Sequence, residues 1–141
     1  GVHGMGLTFN PAVMGTGAKS IDDQHRQLVD IINHLLLSMA GGKAKDEVGP
    51  ILNDLAKYAT THFAHEEQCM VRFSCPVAQQ NKDAHAAFVK TFLAMKADFD
   101  RDGPTATMAI RMQRELSDWI AQHIVGVDVK LRPCIPAGMV A

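Results

Sequence analysis

Apolar residues recur in alternating steps of four and three along four stretches of the chain. The first seam reads Ile21, His25, Leu28, Ile32, Leu35, Met39, and the second Val48, Leu52, Leu55, Ala59, His62, Glu66, Cys69, Phe73. The third reads Ala78, Asn81, His85, Phe88, Phe92, Met95, Phe99, and the fourth Met108, Met112, Leu116, Trp119, His123, with Asp128 five residues on. This is the spacing by which helices pack on helices. Each seam nevertheless carries an imidazole, and two carry a carboxylate. Burying one such group without a partner costs several kcal/mol, so a shared partner is needed to satisfy them together.

Local signals bound the elements. Ser20 followed by Asp23 resembles a capping box opening a helix that stops at Gly41-Gly42. The second helix is predicted from about Asp46, with Pro50 in its first turn, to about Phe73. Pro76 suits the first turn of a third helix that ends before Asp102-Gly103-Pro104, and the fourth runs from about Thr105 to Gly126. Residues 1–19 hold five Gly and one Pro without a period and read as a loop laid over the bundle, and Pro133 and Pro136 mark an extended tail. Short connections make neighbouring helices antiparallel. The predicted fold is all-α: an up-down-up-down antiparallel four-helix bundle over about 20–126, with an irregular N-terminal arm (1–19) and a C-terminal tail (about 129–141), a single domain over 1–141.

Composition narrows the partners. With 14 Lys and Arg against 15 Asp and Glu, the net charge of −1 and the lack of a basic face speak against nucleic acid or an anionic membrane. The longest apolar runs, such as Leu35-Leu36-Leu37, are far too short to span a bilayer, and no charged-then-apolar leader opens the chain. Three widely spaced cysteines, Cys69, Cys75 and Cys134, point to reduced thiols and a cytoplasmic setting. Whether Gly1 to Gly4 are a cloning remnant before Met5 is left open by the sequence.

The antiparallel topology decides where the polar seam positions meet. His25 opens the first helix, His62 and Glu66 close the second, Asn81 and His85 open the third, and His123 and Asp128 close the fourth. All lie at one end of the bundle. His62 and Glu66 are one turn apart, roughly 6 Å along the axis, and Asn81 and His85 repeat that spacing. Four imidazoles and two carboxylates therefore converge. One ion leaves ligands over, whereas two ions bridged by Glu66 and Asp128 use them all. The other histidines fit bland roles: His34 points away from the His25 face, His65 flanks the ligand stripe on its outer side, and His3 lies in the arm. Cys69 reads as a small core residue and Glu67 as a surface acid or one supporting a ligand. Imidazole with carboxylate suits iron, zinc, manganese or nickel, and the lack of thiolate disfavours structural zinc or an iron–sulfur cluster. The Glu-x-x-His pairs of ferritin-like di-iron enzymes are missing.

IDDQH at 21–25, HFAHEE at 62–67, the Pro76-to-His85 segment and WIAQHI at 119–124 with Asp128 resemble the hemerythrins in their bacterial form, as does the arm segment LTFNPAVMGTGAKSIDDQH, with Phe9 where many members have Trp. The resemblance covers roughly 7–131. It implies a non-haem di-iron centre, oxo- or hydroxo-bridged when oxidised, that binds O₂ at an open position on one iron. It implies that His25 and His62 hold that iron, that His85 and His123 match two of three imidazoles on the other, and that Glu66 and Asp128 match the bridging carboxylates. The apolar O₂ pocket maps onto Leu28, Ile32, Phe63, Trp119 and Ile124, of which Leu28, Ile32 and Trp119 are also seam positions beside the ligands.

The chain departs from the family pattern four residues before His85, where Asn81 stands in place of a His. Its carbonyl oxygen is a weaker donor to iron than imidazole, so water competes for that position. A centre open at both irons suits an oxygen or redox sensor that passes its state to a signalling output domain outside this chain. The alternatives are a reversible O₂ carrier or storage protein and a di-iron oxidase or peroxidase acting on peroxide or nitric oxide. The apolar pocket favours O₂ or a similar small uncharged ligand over an organic substrate.

Overall fold

The computed structural model describes residues 8–43 and 45–134. The expectations for Gly1 to Gly4, His3 and the tail beyond 134 lie outside the described residues. A short helix α1 (Pro11–Met14) sits in the arm, followed by α2 (Lys19–Ala40), α3 (Lys45–Arg72) and α4 (Ala78–Asp102). The fourth bundle helix is composite: α5 (Ala106–Met112), a π-helical segment Gln113–Asp118, and α6 (Trp119–Gly126), with a 3-10 segment Asp128–Cys134 behind it. α2 packs on α3, α3 on α4, and α2 again on α5 and the π segment, which closes the four-helix bundle. No helix among the described residues is long and apolar enough to cross a membrane.

Two chain reversals share one device. After α2, Lys43 N–H donates to the Ser38 carbonyl (3.0 Å) and Gly42 N–H to the Met39 carbonyl (3.1 Å), with Gly42 at φ 74. After α3, Cys75 N–H donates to the Met70 carbonyl (2.8 Å) and Ser74 N–H to the Val71 carbonyl (3.1 Å). Both are Schellman motifs, but the left-handed position of the second is held by Ser74 at φ 52 instead of a glycine.

The helix starts differ from their sequence signals. The Ser20–Asp23 capping box does not form: Ser20 is already inside α2, and its hydroxyl meets His65 Nε2 at 3.0 Å. Asp22 serves the helix start instead, accepting from both the backbone N–H and the hydroxyl of Thr16 (2.8 Å each). Asp23 pairs with Lys19 at the surface. Pro50 is the sixth residue of α3, in its second turn, and Pro76 lies two residues before α4, so neither sits in the expected first turn. Thr105 does cap the fourth helix, accepting from Met108 N–H at 3.1 Å.

Every first-seam residue is buried, as are the third-seam residues from Asn81 to Phe99. Phe73, Ala78 and Trp119 are only half-buried. In the fourth helix the π segment is the reason: its wider turn adds a residue and brings Ile120, 3% exposed, into the core beside Trp119. The apolar interior is divided. A long cluster runs from Met39, Phe99 and Met108 up to Leu28, Phe63 and Ile124, and a small one of Ala18, Ile21, Cys69, Met70, Cys75 and Leu131 sits near the opposite end. On α2, α3 and α4 alike, the polar seam residues fall between members of the two clusters.

The arm closes that end of the bundle. Thr16 and Ala18 are fully buried, α1 packs on α6 and on the 3-10 segment, and the Arg132 guanidinium donates to the Gly15 carbonyl. Phe9 lies 6.5 Å from the His25 ring and carries the Arg26 guanidinium on its face.

Candidate metal centre

α2 supplies His25, α3 His62 and Glu66, α4 Asn81 and His85, α6 His123, and the first residue of the 3-10 segment Asp128. All seven are buried, none more than 6% exposed. The two carboxylates lie at the middle. Glu66 Oε2 is 3.1 Å from His25 Nε2 and 3.4 Å from His62 Nε2, while its Oε1 is 3.2 Å from His85 Nε2. Asp128 Oδ2 lies 3.1 Å from His25 Nε2, and its Oδ1 3.2 Å from His123 Nε2. Two four-residue donor groups result, His25–His62–Glu66–Asp128 and Glu66–His85–His123–Asp128, with the atoms of each within 4.8 Å of one another. Glu66 and Asp128 belong to both.

Asn81 is woven into the second group. Its amide nitrogen donates to Glu66 Oε1 at 2.6 Å and approaches Met70 Sδ at 3.2 Å, and its carbonyl oxygen is 2.6 Å from His123 Nε2. On the far side of each ring from the cluster-facing Nε2, His62 Nδ1 meets Gln24 Oε1 at 2.9 Å and His85 Nδ1 meets Glu67 Oε2 at 3.1 Å. Such partners fix an imidazole's tautomer and orientation. Glu67, read from the sequence as a surface acid or one supporting a ligand, contacts the His85 ring. Gln24 went unnoticed in the sequence because it lies beside the seam, at a position with no periodic signal.

The electrostatics of the protein groups are strained by proximity. Burial disfavours charge on His25, but the Asp128 and Glu66 carboxylates outweigh it and push its pKa up to about 9. Burial also opposes the Glu66 carboxylate, yet contacts from His25, His62 and His85 hold it well below the usual range. At His85 the carboxylates of Glu66 and Glu67 again overcome burial and raise the pKa, whereas at His62 burial wins and lowers it.

Aromatic rings wall the cluster on the long-core side. Phe63 stacks on His85 (centroids 3.9 Å apart, planes at 11°) and Trp119 on His123 (4.5 Å, 10°), with Phe88 against Trp119 at 4.2 Å. Leu28, Ile32, Phe63 and Ile124 are buried in the adjoining core, and Trp119 packs against it half-buried. His34 is exposed, and His65 bonds to Ser20 away from the cluster.

Residues 16–135 match the family model described as the hemerythrin HHE cation-binding domain. The chain belongs to the hemerythrin family. It is 30% identical to a bacteriohemerythrin of Methylococcus capsulatus over 93% of this chain and 98% of that protein. It is 27% identical to one of Stenotrophomonas maltophilia over 82% of this chain and 72% of that protein. Among solved structures, wild-type hemerythrin superposes with a TM-score of 0.81 at 28% identity, over 91% of this chain and 96% of the other.

The donors fit the cations that name the hemerythrin HHE domain. Four imidazole Nε2 atoms and two carboxylates face one another, and His85 and His123 bring their Nε2 atoms within 3.1 Å, which is unfavourable unless a proton or a cation lies between them. Asp128 Oδ1 is buried and, although 3.2 Å from His123 Nε2, accepts no hydrogen bond, a cost that cation coordination removes.

Proposed function

We propose that this chain holds a non-haem di-iron centre and works as an oxygen- or redox-sensing module, with His25, His62, Glu66, His85, His123 and Asp128 as ligands. The observation that carries the reading is the sharing of Glu66 and Asp128 between the two donor groups, as bridging carboxylates require. Iron in such a centre supplies a redox pair that binds O₂ and exchanges electrons with it.

The chain's own residues do the rest. His25 and His62 take one side, with Gln24 fixing the His62 ring; His85 and His123 take the other, with Glu67 fixing the His85 ring. Leu28, Ile32, Phe63, Trp119 and Ile124 form the wall facing a bound gas and keep water from it. Asn81 distinguishes a sensor from a carrier. Standing where a third imidazole would complete the second side, it offers only an amide oxygen, so an iron there would be held less firmly and would be more easily oxidised. A change of redox state then passes to an output domain outside this chain.

An optical spectrum of the anaerobically reduced protein before and after air tests this reading. Rapid oxidation without a long-lived oxygenated spectrum supports the sensor. A stable, reversible O₂ complex replaces it with the carrier, and peroxide or nitric oxide turnover well above free iron replaces it with the oxidase or peroxidase.

A further inference from the structure

Cys134, some sixty residues on in the sequence, meets Cys69 and Cys75 at the small apolar cluster beneath the metal centre. Cys69 comes from the last turn of α3 and Cys75 from the turn between α3 and α4; both are 5% exposed. Cys134 closes the 3-10 segment, packs against the same cluster, and is half-exposed. All three are free thiols. That 3-10 segment opens with Asp128, so one short element carries a shared carboxylate of the metal centre at its head and a thiol at its end.

We propose that Cys75 and Cys134 are a peroxide-oxidisable pair whose disulfide fastens the Asp128-bearing segment to the α3–α4 turn. Cys134 is the residue a small oxidant reaches first. Its thiolate attacks hydrogen peroxide, forming a sulfenic acid as the O–O bond breaks and hydroxide leaves. The Cys75 thiol then displaces the sulfenic oxygen, which leaves as water with the Cys75 proton, and the proton that Cys134 gave up on ionising neutralises the hydroxide. Overall, two thiols and one peroxide yield one disulfide and two waters. A thiol or a thioredoxin-type dithiol reverses it.

The thiol environments divide the roles. Burial, with Cys134 beside it, pushes the Cys75 pKa up to about 12, so Cys75 is not the sulfur that attacks peroxide and acts second, on the sulfenic acid. Cys69 is as deeply buried as Cys75 and is held as the bystander, which the Cys69→Ser variant checks. The pairing is independent of which metal the centre holds.

The test is to titrate the metal-loaded protein with hydrogen peroxide, map disulfides by mass spectrometry without reduction, and follow metal release to a chelator. Two of three thiols should disappear, with a Cys75–Cys134 link as product. Metal release should slow several-fold and recover on reduction. Cys134→Ser and Cys75→Ser should each abolish both effects, while Cys69→Ser keeps them. Should Cys75→Ser fail to fold, Cys134→Ser, at a half-exposed position, carries the comparison alone. A Cys69–Cys75 link, sulfinic acid at Cys134 without a link, or no thiol loss overturns the pairing. A disulfide that leaves metal release unchanged overturns the fastening of Asp128.

Discussion

The carbonyl oxygen of Asn81 lies 2.6 Å from Nε2 of His123, a contact between neighbouring helices at the heart of the polar layer. With its amide on Glu66, Asn81 ties the second donor group together through hydrogen bonds. Asn81→His places an imidazole one turn from His85. The variant should bind iron more tightly and keep an oxygenated form for longer, as read by chelator competition and by spectra during exposure to air. A native O₂ complex that is already stable, and that Asn81→His leaves unaltered, shows Asn81 to be a neutral replacement.

Removing a shared carboxylate should be costly. Glu66→Ala or Asp128→Ala leaves buried imidazoles without a counter-charge, and breaking such a buried pair costs about 3–5 kcal/mol. Metal content should fall alongside, since bound metal contributes to folding free energy. Full metal content with an unchanged melting curve would remove these residues from the centre.

Without metal, stability should depend on pH in both directions. The His25 pKa is raised from an ordinary 6.5 to about 9, so its stabilisation is complete below 6.5 and lost as pH rises through about 9. Glu66 is depressed below its ordinary 4.5, so its stabilisation holds above that value and is lost in acid. His62, lowered from 6.5, adds a further loss as pH falls below 6.5. Urea unfolding of the metal-free protein should therefore peak near pH 6.5. Because a cation must displace the His25 proton, metal uptake at pH 7 should release protons, measurable by calorimetry in buffers of different ionisation enthalpy. A flat pH profile with no proton release contradicts the His25 assignment.

The apolar wall predicts a separable effect. Leu28→Ala, at a 1% exposed position, should cost about 2–5 kcal/mol through the cavity it leaves. Trp119→Ala removes the ring stacked on His123. Both should admit water and quicken oxidation of the reduced centre. Unchanged oxidation rates in folded variants would place the gas elsewhere.

Ser74 predicts the opposite sign. It holds the left-handed position after α3 at φ 52, which glycine adopts without strain. Ser74→Gly should raise the melting temperature slightly, by about 1 kcal/mol of strain relieved. A lower melting temperature would show that the Ser74 side chain does more than tolerate its backbone.

Much of this arrangement is legible in the chain. The first seam from Ile21 to Met39 is wholly buried because a regular helix keeps its period, and the ligand positions converge because short turns force antiparallel neighbours. Ile120 joins Trp119 at the core because the π segment changes the period from within, with no Gly or Pro to announce it. Ser20 fails as a cap because Thr16, folded back from the arm, brings its own donors to Asp22. Cys134 looks remote from Cys69 and Cys75 in sequence because their proximity is created by Arg132 and the arm drawing the chain's end beneath the bundle.

Iron content per chain, determined after expression with ample iron, tests the two-ion centre most directly. Glu66 and Asp128 placed between two donor groups predict a value close to two. A value near one, or zinc alone, contradicts a bridged pair.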